Sequence, residues 1–290
     1  MSSREKKIRH CKVDGGQLAY SLYGSGPSKA IFFHGHPGSR TQASFLEEAA
    51  TAAGIEVAAF DRPGFGHSDL FESGRSLLDL SKPLTTLANS RGWNKFHFIA
   101  VSGGAPYALN SLNGLETRVE SITLVGGLGP LHEARFRDRF PQGPYRAMQI
   151  APWVPSPLLG AATKLMLRSL GRSGARGPRP RYLSPADFAL LQSPALAPGL
   201  RSSLEGAFRQ GVAGAQRDLK AFLSPWNSDY KSAPCPVFFW HGRDDRLVPY
   251  EFSEWLAERI PGASLFLLED EGHYTLPLIR AAEILKKIPS

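Results

Sequence analysis

The residues that most constrain this chain are 96–107, which read Phe-His-Phe-Ile-Ala-Val-Ser-Gly-Gly-Ala-Pro-Tyr. Residues 96–101 are rich in aromatic and β-branched side chains, as a buried strand is. From Tyr107 onward, Tyr107, Ala108, Leu109 and Leu112 recur at helical spacing. The backbone must therefore reverse within about two residues, with Ser102 at the apex. A serine held there has its hydroxyl pushed clear of the sheet and close to a helix N-terminus. Ala100 and Gly104 put little or no side chain where strand and helix must approach. The same spacing fits an ordinary strand-to-helix turn with a capping serine, so the rest of the chain has to decide between the two.

The flanking sequence predicts the sheet. Residues 8–14 and 17–23, split by Gly15 and Gly16, read as a hairpin. Residues 30–33 are wholly apolar, which suits a strand covered on both faces, and they run into His34-Gly35-His36-Pro37-Gly38. A helix is predicted over 42–53, a strand over 55–60, a tight loop over 61–69 and a helix over 76–91, stopped by Gly92. Another strand follows at 119–125, ended by Gly126 and Gly127. Later strands are predicted at 236–241 and 263–268, with a helix over 250–260 and a final helix running toward Lys287. Strands alternating with helices imply βαβ units and a largely parallel sheet. The fold expected is therefore α/β, a mostly parallel central sheet flanked by helices.

That rhythm breaks near Pro130 and resumes only at Pro236. The interval looks helical in pieces, with turn-formers at Pro152, Pro155, Pro157, Pro178 and Pro180. Within it, residues 171–181 are poor in apolar side chains and predict a mobile loop. Residues 1–129 and 234–290 thus read as a core domain, and 130–233 as an inserted helical cap over one edge of the sheet.

Ser102, Asp245 and His273 come in that order, each just after a predicted strand. In an open parallel sheet, residues beyond the carboxyl ends of the strands gather at one rim. A serine alone is a weak nucleophile and needs a base within about 2.6–3.2 Å, itself oriented by an acid. With these pieces in order the sequence resembles the α/β-hydrolase superfamily, in particular its serine-nucleophile members with a helical cap. The resemblance covers nearly the whole chain outside the insertion. It rests on residues 34–38, on Asp61-Arg62-Pro63-Gly64-Phe65-Gly66-His67-Ser68, on the turn at Ser102, and on Gly242, Asp245, Val248 and Pro249 with Gly272 and His273. The turn is similar to that of bacterial members reading Ser-Gly-Gly-Gly-Pro-Tyr, with Ala105 in place of a glycine.

The resemblance implies Ser102 as nucleophile, His273 as general base and then acid, and Asp245 as the group that orients the imidazole. Asp244 competes with Asp245, although the family's Gly-x-x-Asp-x-x-Val-Pro spacing favours Asp245. It implies an oxyanion hole made by the backbone N–H groups of Gly103 and His36. A serine at this position argues against the epoxide-hydrolase and haloalkane-dehalogenase branches, which use aspartate. The His36 imidazole either lines the pocket or faces solvent. His34 reads as a structural hydrogen-bonding residue, and the loop 61–69 as turn chemistry without a catalytic role.

Charge and composition narrow the partners. The chain carries a formal +8, but residues 130–233 hold fifteen Lys and Arg against six Asp and Glu, so the surplus belongs to the insertion. A nucleic-acid binder would be basic across its whole binding face and would interleave aromatics, so no nucleic-acid partner is expected. A basic surface of this kind is a solvated cap face, one that attracts an anionic substrate, or one that touches an acidic partner or a membrane surface. The two cysteines, Cys11 and Cys235, lack metal-ligand spacing. No phosphate-binding glycine loop is evident, and neither a cofactor nor a metal is expected. The first ten residues have no apolar core of a secretory leader, no stretch approaches the roughly 20 apolar residues of a membrane span, and a cytoplasmic setting is expected.

The activity implied is a serine hydrolase that cleaves an ester, thioester, lactone or amide of a small substrate through an acyl-enzyme on Ser102. Phe136, Phe140, Tyr145, Met148, Trp153, Leu158, Leu159 and Trp226 are expected to supply an apolar acyl pocket. The same triad could instead cleave carbon–carbon bonds, perhydrolyse, or act as a cofactor-independent oxygenase, and the fold could also serve as a non-catalytic ligand receptor.

Overall fold

Eight strands form one sheet in the order β1-β2-β4-β3-β5-β6-β7-β8. They are β1 (Arg9–Val13), β2 (Gly16–Gly24), β3 (Ser28–Phe33), β4 (Ile55–Phe60), β5 (Phe96–Val101), β6 (Val119–Val125), β7 (Val237–Gly242) and β8 (Ser264–Leu268). The pairs β1·β2 and β2·β4 are antiparallel, and every later pair is parallel. The structure, a computed structural model, describes residues 6–72, 76–173, 179–193, 197–226 and 233–289.

Side chains of the central strands alternate between two apolar layers, as the pleat requires. Ile31, Phe33, Phe98, Ala100 and Leu124 join one buried cluster, and Ala30, Phe32, Ile99, Val101 and Val125 join the other. A sheet buried on both faces explains why residues 30–33 carry no polar side chain. Ahead of β5 come a 3-10 turn over Arg40–Leu46, α1 (Glu47–Ala52) and α2 (Ser81–Ser90), and α3 (Ala105–Asn110) follows it. Helix α2 is shorter than the helix expected over 76–91. The Asp79 carboxylate accepts from the Ser81 N–H at 2.9 Å, which leaves Pro83 in the first turn. A helix begun at 76 would have put Pro83 in its interior, where the missing N–H and the ring clash break the ladder.

Between β6 and β7 the described residues are helical: α4 (Ala134–Arg137), α5 (Gln142–Ile150), α6 (Ser156–Ser173), α7 (Pro185–Leu191), α8 (Ala197–Ala207) and α9 (Ala213–Leu223). The loop expected over 171–181 is helical at its start, since α6 continues through Ser173. Residues 174–178 of that expectation lie outside the described residues. The chain closes with α10 (Glu251–Ala257), α11 (Thr275–Ile279) and α12 (Ala281–Leu285), so the final helix is two short pieces meeting at Arg280. No helix among the described residues is long and apolar enough to cross a membrane.

The helices between β6 and β7 rest on the loops at the carboxyl ends of the strands. Gly214 of α9 lies directly on the Gly64 backbone, Gly206 of α8 lies against Ser39, and the Phe222 ring meets His36 at 5.4 Å between centroids. These helices therefore lie against the loops that follow β3 and β4 and against the turn at Gly103.

Candidate active site

Ser102 stands at the end of β5 with φ +53, the left-handed region that non-glycine residues rarely occupy. The turn stays tight because its neighbours are small. A Cβ on Gly104 would run into the Phe33 carbonyl, and one on Gly103 would lie 2.9 Å from both His36 Cβ and Phe222 Cζ. Ala100 is fully buried. Ser102 itself is half-buried.

His273 and Asp245 converge on this serine from the loops after β8 and β7. His273 Nε2 lies 3.0 Å from Ser102 Oγ, and its Nδ1 lies 2.7 Å from Asp245 Oδ2. A carboxylate only accepts, so Nδ1 carries the proton and Nε2 presents its lone pair to the serine. The Asp245 carboxylate is fixed in turn. Its Oδ1 accepts from the N–H groups of Leu247 at 3.0 Å and Val248 at 2.8 Å. His241 Nε2 lies 3.3 Å from Oδ2, while the other His241 nitrogen meets Ser253 Oγ at 2.7 Å. Asp244, the competing carboxylate, points away and pairs with Arg246 at 2.8 Å. Gly126, at φ +56, gives the pair room: a Cβ there would lie 3.4 Å from His273 Nδ1 and 3.5 Å from Asp245 Oδ2.

Electrostatics couple these groups. Burial alone would raise the Asp245 carboxyl, but the imidazoles of His273 and His241 hold it well below the usual carboxylate range. Burial alone would lower His273, yet the Asp245 carboxylate, with Asp187 further off, raises it above the ordinary histidine value.

The loop that carries His273 is held by a residue that sequence reasoning missed. Asp187, fully buried at the start of α7, accepts from the backbone N–H groups of His273 at 2.8 Å, Tyr274 at 2.7 Å and Thr275 at 3.0 Å. Ser184 caps the same helix by accepting from Asp187 N at 2.9 Å. An Asp in the first turn after Ser184-Pro185 signals a helix start, but nothing local announces a carboxylate spent on a distant loop.

The loop after β3 is fixed by a second unanticipated group. Asp218 of α9, fully buried, receives the Tyr107 hydroxyl at 2.6 Å, Arg62 Nη2 at 2.6 Å and His36 Nδ1 at 3.0 Å. Burial alone would raise its carboxyl, but Arg62 and His36 hold it well below the usual range. Arg62, itself fully buried, also donates to the carbonyls of His34 and Gly35. Its backbone N–H donates to His34 Nε2 at 3.2 Å, so His34 Nδ1 bears the proton and donates to Gly35 O at 2.8 Å. His34 is thus a structural residue, and burial next to Arg62 holds its imidazole well below the ordinary value. The His36 imidazole is packed between Asp218, Phe65 and Phe222. With these side chains holding the loop, the His36 backbone comes close to Gly103: a Cβ on Gly103 would lie 3.4 Å from His36 N. Among the described residues neither N–H, of His36 or of Gly103, donates to another protein group. Asp218 had one legible signal, a lone acid on the buried face of an amphipathic helix with Leu219 and Phe222.

The apolar side chains expected from the insertion divide between core and surface. Phe136, Phe140 and Tyr145 are core residues, the Phe136 ring meeting Phe252 at 4.8 Å and Trp255 at 4.9 Å. Trp153 and Leu158 face solvent. Phe136 of α4 and the nearby Phe140 pack on α10, and Phe222, which was not among those expected, reaches the Ser102 turn. Among the described residues no group of three or more His, Cys, Asp or Glu could hold a metal ion.

Known proteins resemble this chain over most of its length. A family model described as "Alpha/beta hydrolase family" matches residues 30–287. An uncharacterised hydrolase of Bacillus subtilis is 25% identical over 283 residues, spanning 93% of this chain and 92% of its own. A Pseudomonas putida protein named 2-hydroxy-6-oxononadienedioate/2-hydroxy-6-oxononatrienedioate hydrolase is 27% identical over 284 residues, 94% of this chain and 90% of its own. Among solved structures, a thermophilic esterase from Thermogutta terrifontis superposes with a TM-score of 0.70 at 18% identity, covering 97% of this chain and 96% of that one.

Proposed function

The chain belongs to the alpha/beta hydrolase family and is an enzyme of that family, and from this premise we propose that it cleaves an ester-type bond through an acyl-enzyme on Ser102. One observation carries the reading. Ser102 Oγ lies 3.0 Å from a histidine nitrogen whose ring partner lies 2.7 Å from a buried carboxylate, within the reach a base needs to take a hydroxyl proton.

In this reading His273 Nε2 takes the proton as Ser102 Oγ bonds to the substrate carbonyl carbon. Asp245 keeps the imidazole in the required tautomer and stabilises the imidazolium. The backbone N–H groups of Gly103 and His36 donate to the resulting oxyanion, and loss of one such donor typically costs about 10²–10³ in rate. The imidazolium then protonates the leaving group as the tetrahedral species collapses. Water, deprotonated by the same nitrogen, releases the acid and restores Ser102.

Residues 130–233 act as the cap over this site, and the substrate is a small molecule. Two free thiols, Cys11 and Cys235, suit a reducing compartment, the cytoplasm. Ser102→Ala is expected to abolish turnover and labelling by a fluorophosphonate while leaving the melting transition in place, and unchanged turnover in that variant would sink the reading. The relative named for 2-hydroxy-6-oxononadienedioate favours a second reading, in which the same side chains act on an unsaturated oxo-dicarboxylate. Turnover of such an acid with none of an ester panel would select it.

A further inference from the structure

Asp245 serves two imidazoles, and the proposed reaction uses only one of them. Its Oδ2 lies 2.7 Å from His273 Nδ1 and 3.3 Å from His241 Nε2. Its Oδ1 accepts from the N–H groups of Leu247 and Val248. His241 stands at the end of β7 and is fully buried. A ring that polar is costly to bury unless its nitrogens are bonded.

The neighbours of His241 fix its tautomer. Nε2 also lies 2.9 Å from the Val248 carbonyl oxygen. That oxygen and Asp245 Oδ2 accept only, so Nε2 bears a proton and divides it between them. Nδ1 meets the Ser253 hydroxyl of α10 at 2.7 Å, and in the neutral ring it accepts the hydroxyl proton. A buried chain of polar groups thus runs from Ser253 through His241, Asp245 and His273 to Ser102.

We propose that His241 is a positioning residue that draws part of Asp245 Oδ2 away from His273, so that His273 gives up its proton closer to neutrality. Its value for catalysis rests on the acyl-enzyme reading, in which His273 must be neutral to act as base. A carboxylate that already accepts from Leu247, Val248 and His241 attracts one further N–H less strongly. The same bonds occupy both oxygens, so the carboxylate cannot turn away from His273 without breaking them. The other charged group facing His273 is Asp187 of α7, which raises it as Asp245 does. The Tyr274 ring stands edge-on to it at 5.4 Å. His241 works against the two carboxylates.

An NMR titration of the His273 ring in the full chain tests this, with the pH–rate profile of an activated ester beside it. His241→Leu deletes the donor and is expected to raise the His273 midpoint by about half to one pH unit, the scale of one hydrogen bond. His241→Gln returns an N–H of similar reach and should restore the wild-type midpoint. Ser253→Ala removes one oxygen, leaves the imidazole in place but less well held, and should raise the midpoint by less than His241→Leu. It decides the matter alone if His241→Leu does not fold. Asp245→Asn moves the same midpoint downward, so the two sides of the contact give opposite signs. A midpoint unmoved or lowered in His241→Leu overturns the proposal, even where activity falls, since that pattern marks a purely structural ring. An equal rise in His241→Gln overturns it too. The midpoint is read without turnover, so a chain that hydrolyses no ester fails the Ser102 reading while the titration still decides the role of His241.

Discussion

His273 is the residue whose environment makes the sharpest statement about activity. In the proposed mechanism it must be neutral to accept the Ser102 proton, and Asp245 raises it above the ordinary value of about 6.5. The acidic limb of kcat/KM is therefore expected above pH 6.5, with activity rising as His273 deprotonates. Asp245→Asn removes the carboxylate that raises it, so the limb should move to lower pH while kcat falls by about 10⁴. A pH–rate profile of both proteins checks the sign. A steric prediction belongs at the same scale. Gly104 lies against the Phe33 and His34 carbonyls, so Gly104→Ala should lower stability by about 3 kcal/mol or more, read from urea unfolding. These positions were legible because the chemistry of the turn demands particular residues at fixed places. Ser102 with small neighbours, and Asp245 before Val248-Pro249, stand out in the string itself. Of the two neighbouring carboxylates, Asp245 lies against His273 while Arg246 captures Asp244, a difference of direction that the string does not carry.

At the level of elements, strands were easier to read than helices. β4 and β6 fall where their apolar runs do, because a strand covered on both faces is apolar over most of its length. Helix limits depended on single side chains, as Pro83 and Asp79 do for α2. Helix α9 was harder still, since its function lies in Asp218, whose partners are 111 to 182 positions away. That carboxyl is held below its usual range, so it binds fewer protons folded than unfolded. Its stabilisation is present above the unfolded value of about 3.9 and is lost as pH falls toward the native one. Asp218→Asn is expected to destabilise by about 3–5 kcal/mol at neutral pH by stranding Arg62. The difference from wild type should shrink below about pH 4, and urea unfolding at several pH values measures it.

Across the whole molecule, both loops of the candidate site are held by the helical segment between β6 and β7. Asp187 of α7 holds the backbone around His273, and Asp218 of α9 holds the loop that contains His36. The alternation of strands and helices made the sheet legible. It could not reveal this dependence, because each carboxylate acts on backbone far along the chain. If the proposed roles hold, each carboxylate positions a different catalytic part, one the base and the other the oxyanion donor. Asp187→Asn and Asp218→Asn are each expected to lower kcat by about 10–100-fold through misplacement of those parts. Only the first should also shift the acidic limb of the pH profile downward, since Asp187 helps to raise His273. Because the two act on separate loops, the losses should multiply in the double variant, to about 10²–10⁴. A double variant no slower than the worse single one would mean that both carboxylates act through one shared movement of the helices between β6 and β7.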